Sequence, residues 1–180
     1  MKLKENTTAI DFAATDIFGK PLKLSDFKGK KIYLGFFRNV SCPFCNLRVH
    51  QLTKLTSDFE KKGLQMIFLF ESANEILLRS SFHQGVSPIP LVGDPQRKIY
   101  SQYGVEPSVF KMVSTFFTKG AMDDMKAGKA LNLPEDKNAT QSLIPADFLI
   151  DEHFQIKRAH YGKNLNDHIA IEDVKAFAGF

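Results

Sequence analysis

The sequence contains no tryptophan and only two cysteines among its 180 residues, and each scarcity narrows the possible functions. Two cysteines are too few for the disulfide framework of a small secreted domain. A structural zinc site built on them would need two further ligands. The five histidines show no ligand-type spacing with the cysteines: His50, His83, His153, His160 and His168. We therefore expect no metal site.

The chain also has no block of basic residues and no long apolar run. Its formal net charge is +4 with a pI of about 9.0, but the lysines are scattered and no basic segment alternates with aromatic residues. This distribution argues against nucleic-acid binding. No stretch approaches the length of a membrane span, and Met1–Asn6 is not followed by the apolar stretch of a signal peptide. For a complete chain this predicts a cytoplasmic protein without membrane association. In that compartment structural disulfides are rare, and a C-x-x-C pair is more often catalytic or metal-binding.

Hydrophobic residues are plentiful by contrast. They make up 43% of the chain and include 17 phenylalanines. A chain of this length and composition can bury one sizeable core. We therefore expect a single domain over residues 1–180.

Both cysteines lie in one short motif, Cys42-Pro43-Phe44-Cys45, which follows an apolar run and precedes a helical pattern. Pro43 suits the first position of a helix, where a missing N–H costs nothing. Cys42 then occupies the N-cap, where a thiolate is stabilised by free N–H groups and by the helix dipole. We expect a lowered pKa for Cys42 and an exposed position at the helix tip.

Cys45 begins an apolar helix face that should point toward a sheet. It shares that face with Val49, Leu52, Thr56 and Phe59. An exposed attacking thiol with a sheltered partner one turn away suits thiol–disulfide exchange, in which the second sulfur resolves a mixed disulfide. Inert thiols are the plainer interpretation, but they leave the placement of Pro43 and the N-cap as a coincidence.

The remaining pattern predicts alternating strands and helices around a parallel βαβ unit, with the cysteines at the carboxyl edge of its first strand. The elements are a hairpin at Asp16–Leu24, a strand at Lys31–Phe37, a helix from the cysteines to about Lys62, a strand at Leu64–Phe70, a helix opened by a capping box at Ser72–Glu75 and ending near Gly85, a strand at Leu91–Gly93, a short helix from Asp94 to Tyr103, a strand at Asp147–Asp151, a turn into Phe154–Tyr161 and a helix at Asn166–Phe177.

A segment at about 107–138 is less regular and predicts one or two helices inserted near the active edge. Its apolar residues recur at helical spacing on more than one face. Such stripes are usually core, so we expect both apolar faces to pack on the same domain. A substrate groove or a dimer surface is the alternative.

With these motifs placed, the chain resembles peroxiredoxin-like proteins of the alkyl hydroperoxide reductase/thiol-specific antioxidant (AhpC/TSA) group, within the thioredoxin-fold proteins. The matching pieces are Asp11-Phe12, the hairpin, Leu24–Lys30, Phe36-Phe37-Arg38, the cysteine motif, Gly93-Asp94-Pro95 and Ile144–Asp151. The resemblance implies an α/β thioredoxin-like fold. That fold has a central, mostly parallel sheet flanked by helices, an N-terminal hairpin, and the helical insertion before a cis-proline strand. It also implies that Pro145 faces both cysteines and that the peptide bond before Pro145 is cis.

The chain departs from the peroxiredoxin signature Pro-x-x-x-Thr/Ser-x-x-Cys. With Cys45 in the peroxide-attacking position, Cys42 stands where the hydroxyl residue belongs and Arg38 where the proline belongs. Arg38 either has a functional role, in which its charge lowers a thiol pKa or holds an anionic substrate, or is a solvated surface residue. The two interpretations weigh about equally.

Three other polar residues are weighed as parts of the site. We expect Arg48 at the surface, His50 turned away from the sulfur of Cys45, and Asp147 as an ordinary polar residue at a strand edge. A buried Asp147 that accepts a proton from the inner thiol is the alternative interpretation.

Three functions remain open. The first is a thiol–disulfide oxidoreductase with an antioxidant role that cycles Cys42 and Cys45. It needs no bound cofactor, only a thioredoxin-type or low-molecular-weight thiol reductant and a disulfide substrate. The second is a thiol-dependent peroxidase in which Cys45 attacks the peroxide through a sulfenic acid. The third is a redox sensor or interaction protein without enzymatic activity. A homodimer is implied by the family resemblance alone.

Overall fold

The computed structural model describes residues 1–131 and 133–180. The strands are β1 (Ala13–Thr15), β2 (Pro21–Lys23), β3 (Lys31–Phe37), β4 (Leu64–Phe70), β5 (Leu91–Gly93), β6 (Ala146–Ile150) and β7 (Ile156–Tyr161). The α-helices are α1 (Pro43–Thr53), α2 (Thr56–Lys61), α3 (Asn74–Leu77), α4 (Ser81–Gln84), α5 (Lys98–Gln102), α6 (Val109–Ser114), α7 (Ala121–Lys129) and α8 (Ile171–Ala178). Short 3₁₀ turns occupy Leu24–Phe27 and Thr115–Phe117.

Five strands form one mixed sheet in the order β5-β4-β3-β6-β7, and β1 pairs with β2 as a separate hairpin. β3 is parallel to β4 and β4 to β5, whereas β3–β6 and β6–β7 are antiparallel. The sheet therefore has two parallel and two antiparallel strand pairs, and the expectation that it is mostly parallel is not exact. The reason is topological: β6 enters at the edge where β3 ends, with Ala146 opposite Phe36, and so must run in the opposite direction.

The two central strands coincide with their predicted ranges because both are nearly continuous apolar runs. In β3 and β4 every residue from Ile32 to Phe37 and from Met66 to Phe70 is buried. Successive side chains point to opposite faces and enter two apolar clusters, one on each side of the sheet. β3 is thus a buried central strand that ends just before the loop leading to the cysteine motif.

The helix after the cysteines is shorter than predicted. It ends at Thr53 and is followed by the separate helix α2, which places Phe59 in the core beside Val49 and Leu52. Gly63 closes α2 with a φ of 73°, as expected for a residue that takes the left-handed conformation. Within the described residues no helix is both long and apolar enough to cross a membrane.

The capping box predicted at Ser72–Glu75 does not form. α3 has Ala73 as its N-cap, without a side-chain cap, and the expected single helix is split into α3 and α4. The Ser72 hydroxyl instead accepts from the Val40 N–H at 2.9 Å and donates to Asp136 at 2.6 Å. The Ser72 hydroxyl therefore bonds to residues distant in the sequence rather than to the N-terminus of α3.

The insertion contains α6, a 3₁₀ turn and α7, but its apolar residues are not all core. Phe110 and Phe117 are 84% and 86% exposed, and Val109, Val113, Phe116 and Met122 are also exposed. The expectation that both faces pack on the same domain is therefore wrong. The insertion buries one side, through Ala121 and Met125, and leaves an aromatic surface outside.

The peptide bond before Pro145 is trans, contrary to the expectation. Among the described residues the cis peptide bond is the one between Ser87 and Pro88. Trans is the intrinsically favoured state of an X–Pro bond. The Pro145 carbonyl accepts a hydrogen bond from the Gly162 N–H.

Candidate active site

The cysteine motif lies where β3 leaves the sheet and α1 begins. Cys42 is the N-cap of α1 and Pro43 its first residue, as predicted. The Cys42 sulfur accepts a hydrogen bond from the Cys45 N–H at 3.4 Å, and the Cys45 sulfur accepts one from the Arg38 N–H at 3.3 Å. Both thiols are free. The motif therefore presents a reduced dithiol in which each sulfur has a backbone donor.

Cys42 is fully buried, contrary to the expectation of an exposed tip, and so is Cys45. The cover is α7, which lies directly against the first turn of α1. Gly128 packs so closely on Pro43 that an added Cβ would lie 2.6 Å from the Pro43 Cα. Ala121, at the start of α7, belongs to the same apolar cluster as both cysteines. The sequence predicted the insertion near this edge but did not indicate that it packs against the first turn of the cysteine helix.

The two thiols differ in acidity because their surroundings differ. Burial by itself would raise the pKa of Cys42, but the hydrogen bond with Cys45, the charge of Arg38 and the backbone N–H of Cys45 lower it to about 6. Burial raises the pKa of Cys45 well above its usual value, and the neighbouring Cys42 sulfur raises it further. At neutral pH Cys42 is therefore the sulfur that ionises, and Cys45 stays protonated.

Arg38 is the cation of this site. It is only 7% exposed, so it is not the solvated surface residue that was one of the two alternatives. Its guanidinium donates to the Gln141 carbonyl, and it interacts electrostatically with both cysteine sulfurs and with Glu71. A buried guanidinium keeps its charge at any accessible pH, so Arg38 supplies a fixed positive potential to Cys42.

Further polar contacts hold the loop between β3 and α1. The Asn46 side-chain amide donates to the carbonyls of Val40 and Cys42, both at 2.8 Å. Ser72 joins the Val40 N–H to Asp136, as described above. These contacts fix the backbone that carries Cys42. They could not be read from the sequence, because Asn46, Ser72 and Asp136 belong to three separate elements.

Asp147 and Arg48 are both buried, contrary to their predicted strand-edge and surface positions. Asp147 accepts from the Tyr33 hydroxyl at 2.7 Å, from His168 at 3.0 Å and from the Ile169 N–H at 2.8 Å. Burial would raise the pKa of Asp147, but the charge and hydrogen bond of His168, with the charge of Arg48, lower it to about 2. Its partners occupy the carboxylate, so the alternative of a proton acceptor for the inner thiol is not supported.

Pro145 lines a cavity of about 280 Å³ together with Lys2, Lys111 and Tyr161. Its predicted role in positioning the cysteines stays a prediction. In the parts of the chain that the structure covers, no three His, Cys, Asp or Glu side chains are grouped as a metal site would require.

Comparison with known proteins assigns the chain to a family. Residues 6–159 match the AhpC/TSA family, a span that contains the cysteine motif, Arg38 and Pro145. The chain belongs to the AhpC/TSA family.

Relatives of this AhpC/TSA protein carry two kinds of name. It is 29% identical over 106 residues to the thiol-disulfide oxidoreductase ResA of Bacillus anthracis, which is 59% of this chain and 61% of that protein. The chain thus spans less than two thirds of the length of such relatives. It is 22% identical over 169 residues to a Mycobacterium tuberculosis protein named as a peroxiredoxin, covering 94% of this chain and 92% of that one.

A solved structure from Chlorobium tepidum, described as a thiol:disulfide interchange protein DsbE, superposes with a TM-score of 0.65 at 21% identity. The superposition covers 99% of this chain and 100% of that one, and it supports the thioredoxin-like fold of this AhpC/TSA protein. The fold expected from the sequence is therefore confirmed, apart from the strand directions and the proline isomer.

Gly128 was not predicted as a site residue, although the sequence contains a signal for it. A glycine inside a helix costs about 1 kcal/mol relative to alanine, so its presence indicates close backbone approach or function. Here it marks the contact between α7 and the cysteine helix. The family pattern alone does not reveal this contact, because the helices meet only in the folded chain.

Proposed function

We propose that this protein is a thiol–disulfide oxidoreductase that cycles Cys42 and Cys45 between dithiol and disulfide. The observation that carries the proposal is the opposite shift of the two thiols. The pKa of Cys42, at the helix N-cap, is lowered to about 6, and that of Cys45 is raised well above its ordinary value. An ionised attacking sulfur beside a protonated resolving sulfur is the combination that disulfide exchange requires.

The reaction proceeds in two substitutions. The Cys42 thiolate attacks one sulfur of a substrate disulfide, forming a mixed disulfide and releasing the other substrate sulfur as a thiolate that takes up a proton. Cys45 then loses its proton and attacks the Cys42 sulfur, which releases the second substrate thiol. The substrate is reduced by two electrons and the protein is oxidised to the Cys42–Cys45 disulfide.

Trapping the mixed disulfide tests this order of attack. In Cys45→Ser the resolving sulfur is absent, so reaction with a small aromatic disulfide should stop at a stable adduct on Cys42, detected by intact mass. Cys42→Ser, the matched control, should form little adduct because the raised pKa of the remaining thiol, Cys45, keeps it protonated. An adduct that forms faster on Cys45 than on Cys42 refutes the assignment of Cys42 as the attacking residue.

A peroxidase is the second candidate, favoured by membership of the AhpC/TSA family and by the N–H of Arg38 pointing at the Cys45 sulfur. In that cycle the Cys45 thiolate attacks the peroxide, forming a sulfenic acid and releasing water from hydrogen peroxide. Cys42 then condenses with the sulfenic acid, and a second water leaves. The raised pKa of Cys45 counts against this route, because attack requires the thiolate.

Hydrogen peroxide separates the two candidates. We expect thiol loss in the reduced protein at a rate close to that of free cysteine. A rate orders of magnitude higher that disappears in Cys45→Ser would establish the peroxidase instead. Because the chain contains no tryptophan, the reaction is best followed by thiol counting and mass rather than by indole fluorescence.

The proposed oxidoreductase needs an external electron donor. We assign that role to a thioredoxin-type protein or a low-molecular-weight thiol in a reducing, cytoplasmic setting. Rates of reduction of the Cys42–Cys45 disulfide by each donor, at equal thiol concentration, decide between them. A homodimer is proposed from the family resemblance and is tested by sedimentation equilibrium. If both single-cysteine variants bind a partner normally but no longer respond to oxidant, a sensor replaces the enzyme.

A further inference from the structure

The buried Cys42 poses a steric problem for disulfide exchange. A thiolate attacks a disulfide along the line of the two substrate sulfurs, so the substrate must reach the attacking sulfur directly. Cys42 has no exposed surface. The closed arrangement described here therefore holds the thiolate ready but out of reach of any disulfide.

The cover over Cys42 has two parts, which we call the cap: helix α7 and the segment Asp136–Gln141. α7 contacts the cysteine helix through Gly128, which lies on Pro43. The second part is linked at both ends to the residues around Cys42, at one end through Ser72 and at the other through Arg38. Asp136 accepts from Ser72 at 2.6 Å, and the Gln141 carbonyl accepts from the Arg38 guanidinium.

A third contact ties the cap to the end of β4. The Thr140 N–H donates to Glu71 at 3.0 Å, and Glu71 also lies 3.8 Å from the Arg97 guanidinium. Glu71 and Ser72 are adjacent residues at the carboxyl edge of β4, beside the cysteine loop. α7 has one polar contact elsewhere, because the Asn166 side-chain amide donates to Asp124 at 2.6 Å. The contacts of the Asp136–Gln141 segment described above converge on the residues around Cys42.

The cap has little apolar anchorage of its own. Of the nine residues of α7 only Ala121 and Gly128 are fully buried, and Met125 packs partly buried against the core. Met122 is exposed, as are Phe116 and Phe117 before the helix. Segments with few buried apolar contacts open at low free-energy cost, while the rest of the fold stays intact. The central strands, which are buried on both faces, are not part of this unit.

We infer that the cap is a hinged cover that must leave the cysteine helix before Cys42 reacts, and that Gly128 and the Asp136–Ser72 hydrogen bond set how often it opens. The inference rests on the proposed oxidoreductase function and adds that opening of the cap controls access to the attacking residue. It concerns access to one sulfur, however, and can be measured without any turnover.

Alkylation of Cys42 by iodoacetamide measures the opening directly. A Cys45→Ser background leaves one thiol, so the mass increment reports Cys42 alone. Rates are compared at a pH well above the thiol titration midpoint of each variant, so that differences in ionisation do not contribute. The reference is the same chain unfolded in urea at that pH. We expect the folded protein to react about a hundredfold more slowly than the unfolded reference.

Two independent variants should release the cover. In Gly128→Ala the added methyl group collides with the Pro43 backbone, and in Asp136→Asn the charged acceptor for Ser72 is lost. Each should raise the alkylation rate about tenfold, the factor expected from removing one charged hydrogen bond or its equivalent in packing. Gly85→Ala and Asp123→Asn are matched controls, because Gly85 ends α4 away from the cap contacts and Asp123 is exposed on α7.

A folded protein that alkylates as fast as the unfolded reference overturns the inference. So do unchanged rates in both cap variants when circular dichroism shows that they are folded. If Gly128→Ala fails to fold, Asp136→Asn decides alone. A chain that is gated in alkylation but exchanges no disulfide refutes the proposed function and leaves the gate standing. Mixed-disulfide formation accelerated by the same factor as alkylation supports both.

Discussion

Replacing Arg38 by methionine should change the pH dependence of Cys42 rather than abolish its reactivity. Arg38→Met keeps a side chain of similar length at a buried position but removes the fixed positive charge. An opposite charge at close range shifts a pKa by about 1–3 units. Taking a loss of about two units, we expect the titration midpoint of Cys42 to move from about 6 to about 8.

The rate then follows from two opposing factors. At pH 5 the thiolate fraction falls from about 9% to about 0.1%, a loss of about a hundredfold. The more basic thiolate is intrinsically more nucleophilic, by about eightfold for two units at a Brønsted slope of about 0.45. The variant should therefore react about tenfold more slowly at pH 5, at nearly the same rate at pH 7, and about sevenfold faster at pH 9.

The assay is a pH–rate profile for alkylation in the Cys45→Ser background, paired with the ultraviolet absorbance of the thiolate. Arg38 also donates to Gln141 in the cap, so the variant can gain rate at every pH. That gain raises the whole profile without moving its midpoint. Arg38→Lys, which keeps the charge, should retain a low midpoint, and Arg79→Met removes an exposed arginine as a control. An unchanged midpoint in Arg38→Met would refute the electrostatic role assigned to Arg38.

Three further outcomes are expected. Burial lowers the pKa of His83 to about 4, so the unfolded chain takes up a proton at higher pH than the folded chain does. Acidification from pH 7 to pH 4 should therefore cost about 3 kcal/mol of folding stability. His83→Leu should remove that pH dependence in urea titrations. Asp147→Asn should lose about 3 kcal/mol at pH 7, because His168 and Arg48 lose a buried anionic partner, and the difference from wild type should shrink as pH falls from about 4 to 2. Phe117→Ser should leave the urea midpoint within about 0.5 kcal/mol of wild type, yet bind less of a fluorescent hydrophobic probe; a large loss of stability would show that the exposed ring is packed in solution.

The central strands and the start of the cysteine helix could be predicted from the sequence because their signals are local. A continuous apolar run gives the bounds of β3 and β4, and proline after cysteine places the N-cap of α1. Gly63 closes its helix where the pattern said it would. In these segments each residue's preference agrees with the fold, so short-range reasoning is sufficient.

The errors occurred where a distant segment supplies the partner. Ser72 has the spacing of a capping box, but Val40 and Asp136 compete successfully for its hydroxyl. Cys42 was expected at an exposed tip because nothing near it in the chain covers it; its cover begins about 80 residues later, at Ala121. Arg48 was assigned to the surface because an isolated arginine prefers water, whereas its guanidinium donates to Ile169 at 2.5 Å inside the fold.

The use of a sulfur atom as the N-cap of α1 joins the folding stability of the chain to its reduction potential. At pH 7 a thiol with a pKa of about 6 rather than 9.0 gains about 1.4 kcal/mol from its ionisation in the folded state. The disulfide form has no thiolate to contribute this free energy. This contribution, taken alone, raises the reduction potential of the folded cysteine pair by about 30 mV for a two-electron couple. By the same cycle, oxidation weakens the start of the helix that carries the site, and each reduction restores it.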